Sequence, residues 1–245
     1  THLNTTLGYD KDTLPDYLEQ RNEDLATAPV EINVSEGMQA GPTEVTGSGV
    51  KIDGDCASNV PGLFACGDAA DHNRCVHGAI TGGYRSGKSA AKFALGRNFF
   101  AEPEVAPTEE MAEKFIAPLK RGSGYPYRQL EDSVRRIMAE NVGPMRSELG
   151  LNTALKKLTQ LEKHLDDMKV EDLHELMRSQ ETRSILEVGK ISATAALYRT
   201  ESRNKPYHYR LDYPETDDEN WCGLVAIQKS GDGYECSFDP IKYSS

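Results

Sequence analysis

Gly62-Leu63-Phe64-Ala65-Cys66-Gly67-Asp68 decides how this chain is read: an apolar run ends in a Gly-Asp pair, and a glycine-rich stretch, Gly78-Ala79-Ile80-Thr81-Gly82-Gly83, follows ahead of a helical segment. Residues 63–66 predict a short parallel strand buried on both faces. The Gly-Asp pair then falls at its carboxyl end, where open α/β sheets place their ligands. There Asp68 can accept a hydrogen bond from a sugar or polyol hydroxyl. A glycine-rich helix start aims backbone N–H groups, here those of Ile80, Thr81, Gly82 and Gly83, and the positive end of a helix dipole at an electron-rich group.

This order of parts resembles the C-terminal part of the flavin-binding domain in two-dinucleotide-binding flavoproteins. The resemblance implies FAD, with Asp68 on a ribityl or ribose hydroxyl and the backbone of Gly67 and of Ile80, Thr81, Gly82 and Gly83 near the cofactor. Flavin domains of this type open with a G-x-G-x-x-G loop after a strand, and no such loop stands near Thr1. The chain is therefore expected to be the latter half of a longer protein or one polypeptide of a split one.

With 245 residues the chain can bury a substantial core in one or two domains. Its formal net charge of −11 argues against a nucleic-acid partner, because neutralising phosphates needs a concentrated Lys/Arg surface. Five cysteines without any C-x-x-C give neither a disulfide framework nor a self-contained zinc or iron–sulfur site, and they read as reduced thiols of a cytoplasmic protein. No stretch approaches the roughly 20 apolar residues that span a bilayer, so direct membrane insertion is not expected.

Residues 1–28 are polar and read as the end of an inserted capping region. The alternation in Val30-Glu31-Ile32-Asn33-Val34 predicts a strand, as does Val50-Lys51-Ile52-Asp53, with a Gly/Pro-rich loop between them. A Pro-containing acidic linker over 102–108 divides residues 29–105, the expected second half of an FAD-binding domain, from a helical domain over 106–203. Leu130, Val134 and Ile137 form one apolar stripe, and Leu151, Leu155, Leu158 and Leu165 form another. A third helix changes character at Gly189, after which Ala193, Ala195 and Ala196 permit close approach of a neighbour. Residues 204–245 predict extended segments and a hairpin turning at Lys229-Ser230-Gly231-Asp232-Gly233-Tyr234. The expected fold class is thus an α/β partial FAD-binding (Rossmann-like) domain, then an all-α bundle, then a small C-terminal antiparallel β ribbon.

A more specific resemblance lies near the C-terminus. Arg199-Thr200-Glu201-Ser202-Arg203, then His208-Tyr209-Arg210-Leu211-Asp212-Tyr213-Pro214 and Asp217-Asp218-Glu219-Asn220-Trp221, closely resemble the end of the flavoprotein subunits of succinate dehydrogenase, fumarate reductase and adenylylsulfate reductase. The resemblance covers residues 29–245. It implies an FAD-dependent oxidoreductase subunit that exchanges electrons between a substrate and an iron–sulfur partner, and a separate N-terminal flavin-domain half. Two departures matter. Fumarate reductases carry a histidine where this chain has Glu36-Gly37-Met38-Gln39-Ala40-Gly41-Pro42-Thr43, and an arginine where His77-Gly78-Ala79-Ile80 runs into Thr81. Without those side chains the usual handling of a dicarboxylate is not expected. Residues 30–36 and 78–88 instead resemble the adenylylsulfate reductase branch, although the histidine which that branch keeps near position 43 is missing here, which implies a different substrate again. His77 is the catalytic candidate: its family position lies beside the flavin ring, where it could stabilise the reduced anion, and it could equally be a satisfied loop histidine.

Other signals compete. Gly82-Gly83-Tyr84-Arg85-Ser86-Gly87-Lys88-Ser89 matches the P-loop pattern, although its mechanism requires the loop to leave a strand directly. Asp68, Asp71, His72, Cys75 and His77 crowd together, but their spacing fits no usual zinc site, and no metal is expected. Arg203, Arg210, Asp212, Asp217 and Asp218 read as a salt-bridge and capping network that anchors the tail, with a catalytic role as the alternative. His164 and His174 read as solvated helix faces. Outside enzymes, the chain could be a non-catalytic scaffold derived from a flavoprotein.

Overall fold

The computed structural model describes residues 49–70, 75–96, 105–203, 208–231 and 233–241. The strand expected over 30–34, the capping segment 1–28 and the residues Asp71 and His72 lie outside them. Among the described residues five long helices follow in chain order: α1 Cys75–Leu95, α2 Val105–Lys120, α3 Tyr127–Asn141, α4 Glu148–Glu162 and α5 Leu173–Tyr198. A short α6, Asp218–Trp221, precedes the terminal hairpin. Helix α2 begins inside the stretch that reads as an acidic linker.

The two leucine stripes meet as the periodicity requires. Leu130 and Val134 of α3, Leu158 of α4 and Leu186 of α5 close one buried cluster with Tyr127, Leu165 and Met168, and Ile137 packs at its edge. Leu151 and Ala154 of α4 meet Ala193 and Ala196 of α5 in a second cluster that Val142 completes. Gly189 sits where a Cβ would come within 3.1 Å of Met138 Sδ, so the change of character in the third helix marks a close contact with α3. Helix ends are set locally. Ser147 accepts a hydrogen bond from Gly150 N at the start of α4, and Asp172 accepts one from Glu175 N at the start of α5.

The loops between helices are tied by two-residue strand pairs. β1 Tyr125–Pro126 runs parallel to β3 Met168–Lys169, and β2 Met145–Arg146 parallel to β4 Tyr209–Arg210. The hairpin predicted at the C-terminus is present: β5 Gly223–Ser230 pairs antiparallel with β6 Gly233–Pro240, in register from Gly223↔Pro240 to Ser230↔Gly233. Gly231 turns it with φ 57°. Both strands lie against α5.

Residues 49–70 depart from expectation. The buried parallel strand predicted over 63–66 is absent: Leu63 is 48% exposed, and Phe64 makes a single antiparallel bridge to Ala57. The strand expected over 50–53 is likewise reduced to a bridge between Val50 and Ala70. A central strand needs a partner along each edge, and this segment pairs only with itself among the described residues. The described chain is therefore mostly helical with a small C-terminal strand pair, without a Rossmann-like sheet. The helix expected to start at the glycines instead runs from Cys75 through Gly78, Gly82 and Gly83 to Leu95. Because residues 82–89 are all helical, no P-loop cradle exists there, and the nucleotide-binding alternative is set aside.

Candidate functional site

The segment ahead of α1 is a chain of local turns. Asp53 Oδ1 accepts hydrogen bonds from Asp55 N and Ala57 N, both at 2.9 Å, while Cys56 N donates to Asp53 O at 3.0 Å. Ser58 Oγ donates to Leu63 O at 2.9 Å and accepts from Val60 N at 3.1 Å, holding the Asn59-Val60-Pro61-Gly62 turn. Phe64 then meets Phe93 of α1 edge to face, with ring centroids 5.9 Å apart.

The chain next turns sharply onto α1. Gly67 has φ 60°, and a Cβ there would come within 3.2 Å of both Ala79 Cα and Cβ. Only glycine meets both demands without strain. Gly82 is the reciprocal contact on the helix, where a Cβ would come within 3.0 Å of Cys66 Cβ and 3.4 Å of Gly67 N. Gly67–Ala69 closes as one 3-10 turn, with Ala70 N donating to Gly67 O at 3.0 Å, and Asp68 sits exposed in it. Since Gly67 rests on Ala79, Asp68 lies beside the N-terminal part of α1. His77 is exposed on that part of the helix.

The structure redistributes the roles expected of the glycines. The N–H groups of Ile80, Thr81, Gly82 and Gly83 fall in the helix interior, where each donates to the carbonyl four residues back. The N–H groups an α-helix leaves without an intrahelical partner belong to its first turn, Cys75 to Gly78. Gly82 serves close packing, and Gly83 has open space where its Cβ would be. The pattern alone could not separate these uses, because a glycine required for approach by a ligand and one required for approach by a cysteine look alike in sequence.

The tail network is a second, fully built constellation. Glu201 is buried and takes hydrogen bonds from Arg199, from Arg203 Nε at 2.6 Å and Nη2 at 3.0 Å, and from Asp217 N at 2.8 Å. Burial pushes its carboxyl up, but the hydrogen bonds from Arg203, Asp217 N and Arg199 together hold it below the usual range. Arg203 also reaches Asp218 Oδ1 at 2.8 Å. Arg210, buried as deeply, forks onto Asp212 with two 2.8 Å bonds and donates to the carbonyls of Ala196 at 2.7 Å and Arg199 at 2.8 Å, capping the end of α5. Asp212 in turn accepts from Glu148 N at 2.8 Å, at the first turn of α4. Arg199 lies over the Trp221 ring and donates to Trp221 O at 2.9 Å and Gly223 O at 2.7 Å.

His208 completes this region. Arginine only donates, so the 3.3 Å contact between Arg146 Nη1 and His208 Nδ1 makes Nδ1 the acceptor and leaves the proton on the buried Nε2. Burial, then the charges of Arg146, Arg199 and Arg210, push the imidazole down to about 4. It is neutral at physiological pH. With the tail's charges satisfied by one another, this constellation ties α4, α5 and the hairpin together, as its sequence pattern implies. Among the described residues no cluster of His, Cys, Asp and Glu could hold a metal ion.

Residues 131–245 match the family model described as fumarate reductase flavoprotein C-term. An uncharacterized FAD-dependent oxidoreductase of Methanocaldococcus jannaschii is 34% identical over 210 residues, covering 80% of this chain and 36% of that protein. The fumarate reductase flavoprotein subunit of Haemophilus influenzae is 26% identical over 239 residues, covering 89% of this chain and 39% of the relative. Among solved structures, adenylylsulfate reductase from Archaeoglobus fulgidus superposes with a TM-score of 0.64 at 27% identity, over 68% of this chain and 29% of that one. Mycobacterium smegmatis Sdh1 does so with a TM-score of 0.69 at 26% identity, over 80% and 35%. The chain matches a C-terminal part of the fumarate reductase and succinate dehydrogenase flavoprotein family. It spans 36% and 39% of the length of those two curated relatives.

Proposed function

We propose that this chain supplies the C-terminal part of an FAD-dependent oxidoreductase subunit that passes electrons between a substrate and an iron–sulfur partner in the cytoplasm. The observation that carries the reading is the Gly67-Asp68 turn seated on α1 in a chain whose relatives are named flavoproteins. Residues 29–105 would be the second half of the FAD-binding domain, 106–203 the helical domain and 204–245 its anchoring tail. Among the described residues no helix is long and apolar enough to cross a membrane.

The residues present fit FAD in part. Asp68 offers an exposed carboxylate suited to a ribityl or ribose hydroxyl, and His77 stands exposed on the same end of α1, suited to the flavin edge. The amides of Ile80, Thr81, Gly82 and Gly83 are already bonded within the helix, so they would shape the contact rather than donate to it. FAD, when bound, accepts or delivers two electrons and hands them on singly. The chain's own part is to position the cofactor. Substrate clamps would come from the N-terminal flavin-domain half, since the dicarboxylate residues of fumarate reductases are replaced here. The resemblance carried by residues 30–36 and 78–88 makes the adenylylsulfate reductase branch the nearer model.

The partner half has a surface to meet. Val76, Ile80, Tyr84 and Leu95 of α1 are 74, 69, 70 and 89% exposed, a degree of apolar exposure unusual on one helix and suited to burial against another segment. Co-purification of this chain with a polypeptide carrying G-x-G-x-x-G should give a complex with flavin absorbance. Asp68→Ala should weaken FAD binding about ten- to a hundredfold, the loss of one charge-assisted hydrogen bond. A colourless complex, or unchanged FAD affinity in that variant, would overturn the assignment.

A further inference from the structure

Two thiols that the proposed function does not use converge on one residue of α1. Cys56 is buried and holds a left-handed backbone, φ 62°, which a non-glycine residue adopts rarely. Ala65 N donates to Cys56 O at 3.1 Å, so the backbones of Cys56 and Cys66 run side by side, one residue out of register. In a regular antiparallel pair that offset would send the two side chains to opposite faces. The left-handed turn at Cys56 breaks the alternation, and its Sγ lies 4.0 Å from the Gly82 carbonyl oxygen. Cys66 arrives at the same residue, its Cβ being the atom a Cβ on Gly82 would meet at 3.0 Å. Opposed residues of an antiparallel pair lie about 4.5–5.5 Å apart at Cα, and a disulfide spans about 4.4–6.8 Å, which puts a one-residue offset within reach.

We propose that Cys56 and Cys66 form a reversible dithiol–disulfide pair, a modification site beside the Gly67-Asp68 turn. The oxidant is a hydroperoxide. The half-buried Cys66, the more accessible of the two, attacks the peroxide oxygen; the O–O bond breaks, the alcohol or water leaves, and Cys66 becomes a sulfenic acid. Cys56 then attacks the Cys66 sulfur, the S–S bond forms, and the hydroxyl leaves as water with the Cys56 proton. Two thiols have lost two electrons, and the peroxide has been reduced. The bond ties the 53–57 turn to the residue that enters the Gly67 turn, stiffening the support of Asp68. That regulatory consequence rests on the flavin reading; the thiol pair itself does not.

The test is made on the full chain, treated with hydrogen peroxide, denatured, alkylated and digested with trypsin. Both cysteines fall in one tryptic peptide, residues 52–74, between Lys51 and Arg74. Oxidation should remove both of its alkylation sites and leave it two hydrogen masses lighter than the dithiol, with alkylation restored by a reductant. Cys222 and Cys236 should remain alkylated throughout. In Cys56→Ser, Cys66 should instead be trapped by a 1,3-dione as sulfenic acid, and in Cys66→Ser the peptide should keep its alkylated Cys56. Full alkylation of Cys56 in the oxidised wild-type chain, or a cross-link from 52–74 to the peptide 75–85 that carries Cys75, would overturn the pair. Neither readout depends on FAD, so a failure here is distinct from a failure of the flavin assignment.

Discussion

The helical bundle with its tail and the segment of residues 49–96 are stabilised in opposite ways. In the bundle, apolar stripes from α3, α4 and α5 close on one another, and the buried charges of Glu201 and Arg210 find all their partners within the same region. In the described residues of 49–96, the contacts are mostly local turns, glycine approaches and the Phe64–Phe93 ring pair, with Lys51 reaching Asp239 of β6 at 2.6 Å, while α1 leaves Val76, Ile80, Tyr84 and Leu95 outside. Hydrophobic burial scales with area removed from water, so the first region supports itself and the second has stability still to gain from a neighbour. Completeness is thus a regional property: among the described residues the bundle closes its own core, whereas α1 leaves large apolar side chains exposed.

The sharpest way to break the contrast is to strike the clasp. Arg210→Met removes the guanidinium that holds Asp212 and the last carbonyls of α5, leaving buried acceptors without donors. It should cost about 3–5 kcal/mol, read as a lower denaturant midpoint. If the tail were merely draped on the bundle, the loss would be near that of a surface substitution.

Acid should loosen the same region by a smaller amount. His208 is held near 4 against an ordinary 6.5, so folding favours its neutral form; that stability is complete above 6.5 and drains away as pH falls toward 4. Asp212, held down to about 2 first by Arg210, adds a contribution present above its ordinary 3.8 and lost as pH falls through about 2. Because His208 is partly solvent-screened, its share should be about 1–2 kcal/mol rather than the full value of the shift. Thermal melts between pH 7 and 4 should reveal the slope, and His208→Gln should flatten it.

The smallest effects probe the unfinished face. A Cβ at Gly83 or Gly87 would meet nothing within 4 Å, and both sit inside α1. In the chain alone, Gly83→Ala and Gly87→Ala should each stabilise by about 0.5–1 kcal/mol through helix propensity. In complex with an N-terminal half that packs on this face, the added methyl should lower FAD content instead. Stabilisation in both settings would show that the face stays in water.

Periodicity exposes the bundle because its signal is local and redundant. Leu130 with Val134, and Leu151 with Leu158, fall on one helix face wherever the helix is placed, and a Gly-Asp-Gly turn between two extended runs closes a hairpin with little help. The charges of residues 199–218 likewise announce a network, since Arg and Asp at that density must pair if they are to be buried. Leu63-Phe64-Ala65-Cys66 was a different matter, because an apolar run becomes a strand only where edges are offered to it, and among the described residues Ala57 alone bridges it.

By itself, then, the amino-acid order determined the helices of the bundle core, their buried stripes, the terminal hairpin and the family likeness, since each is encoded within one element or one contiguous signature. The tertiary structure alone decided what the glycines and cysteines do. Gly67 and Gly82 are small because the Cys66–Gly67 turn presses on α1. Cys56 and Cys66 meet because a left-handed residue turns one thiol toward the helix face the other already touches. Such close approaches depend on backbone separations of a few tenths of an ångström, and no one-dimensional pattern carries distances of that kind.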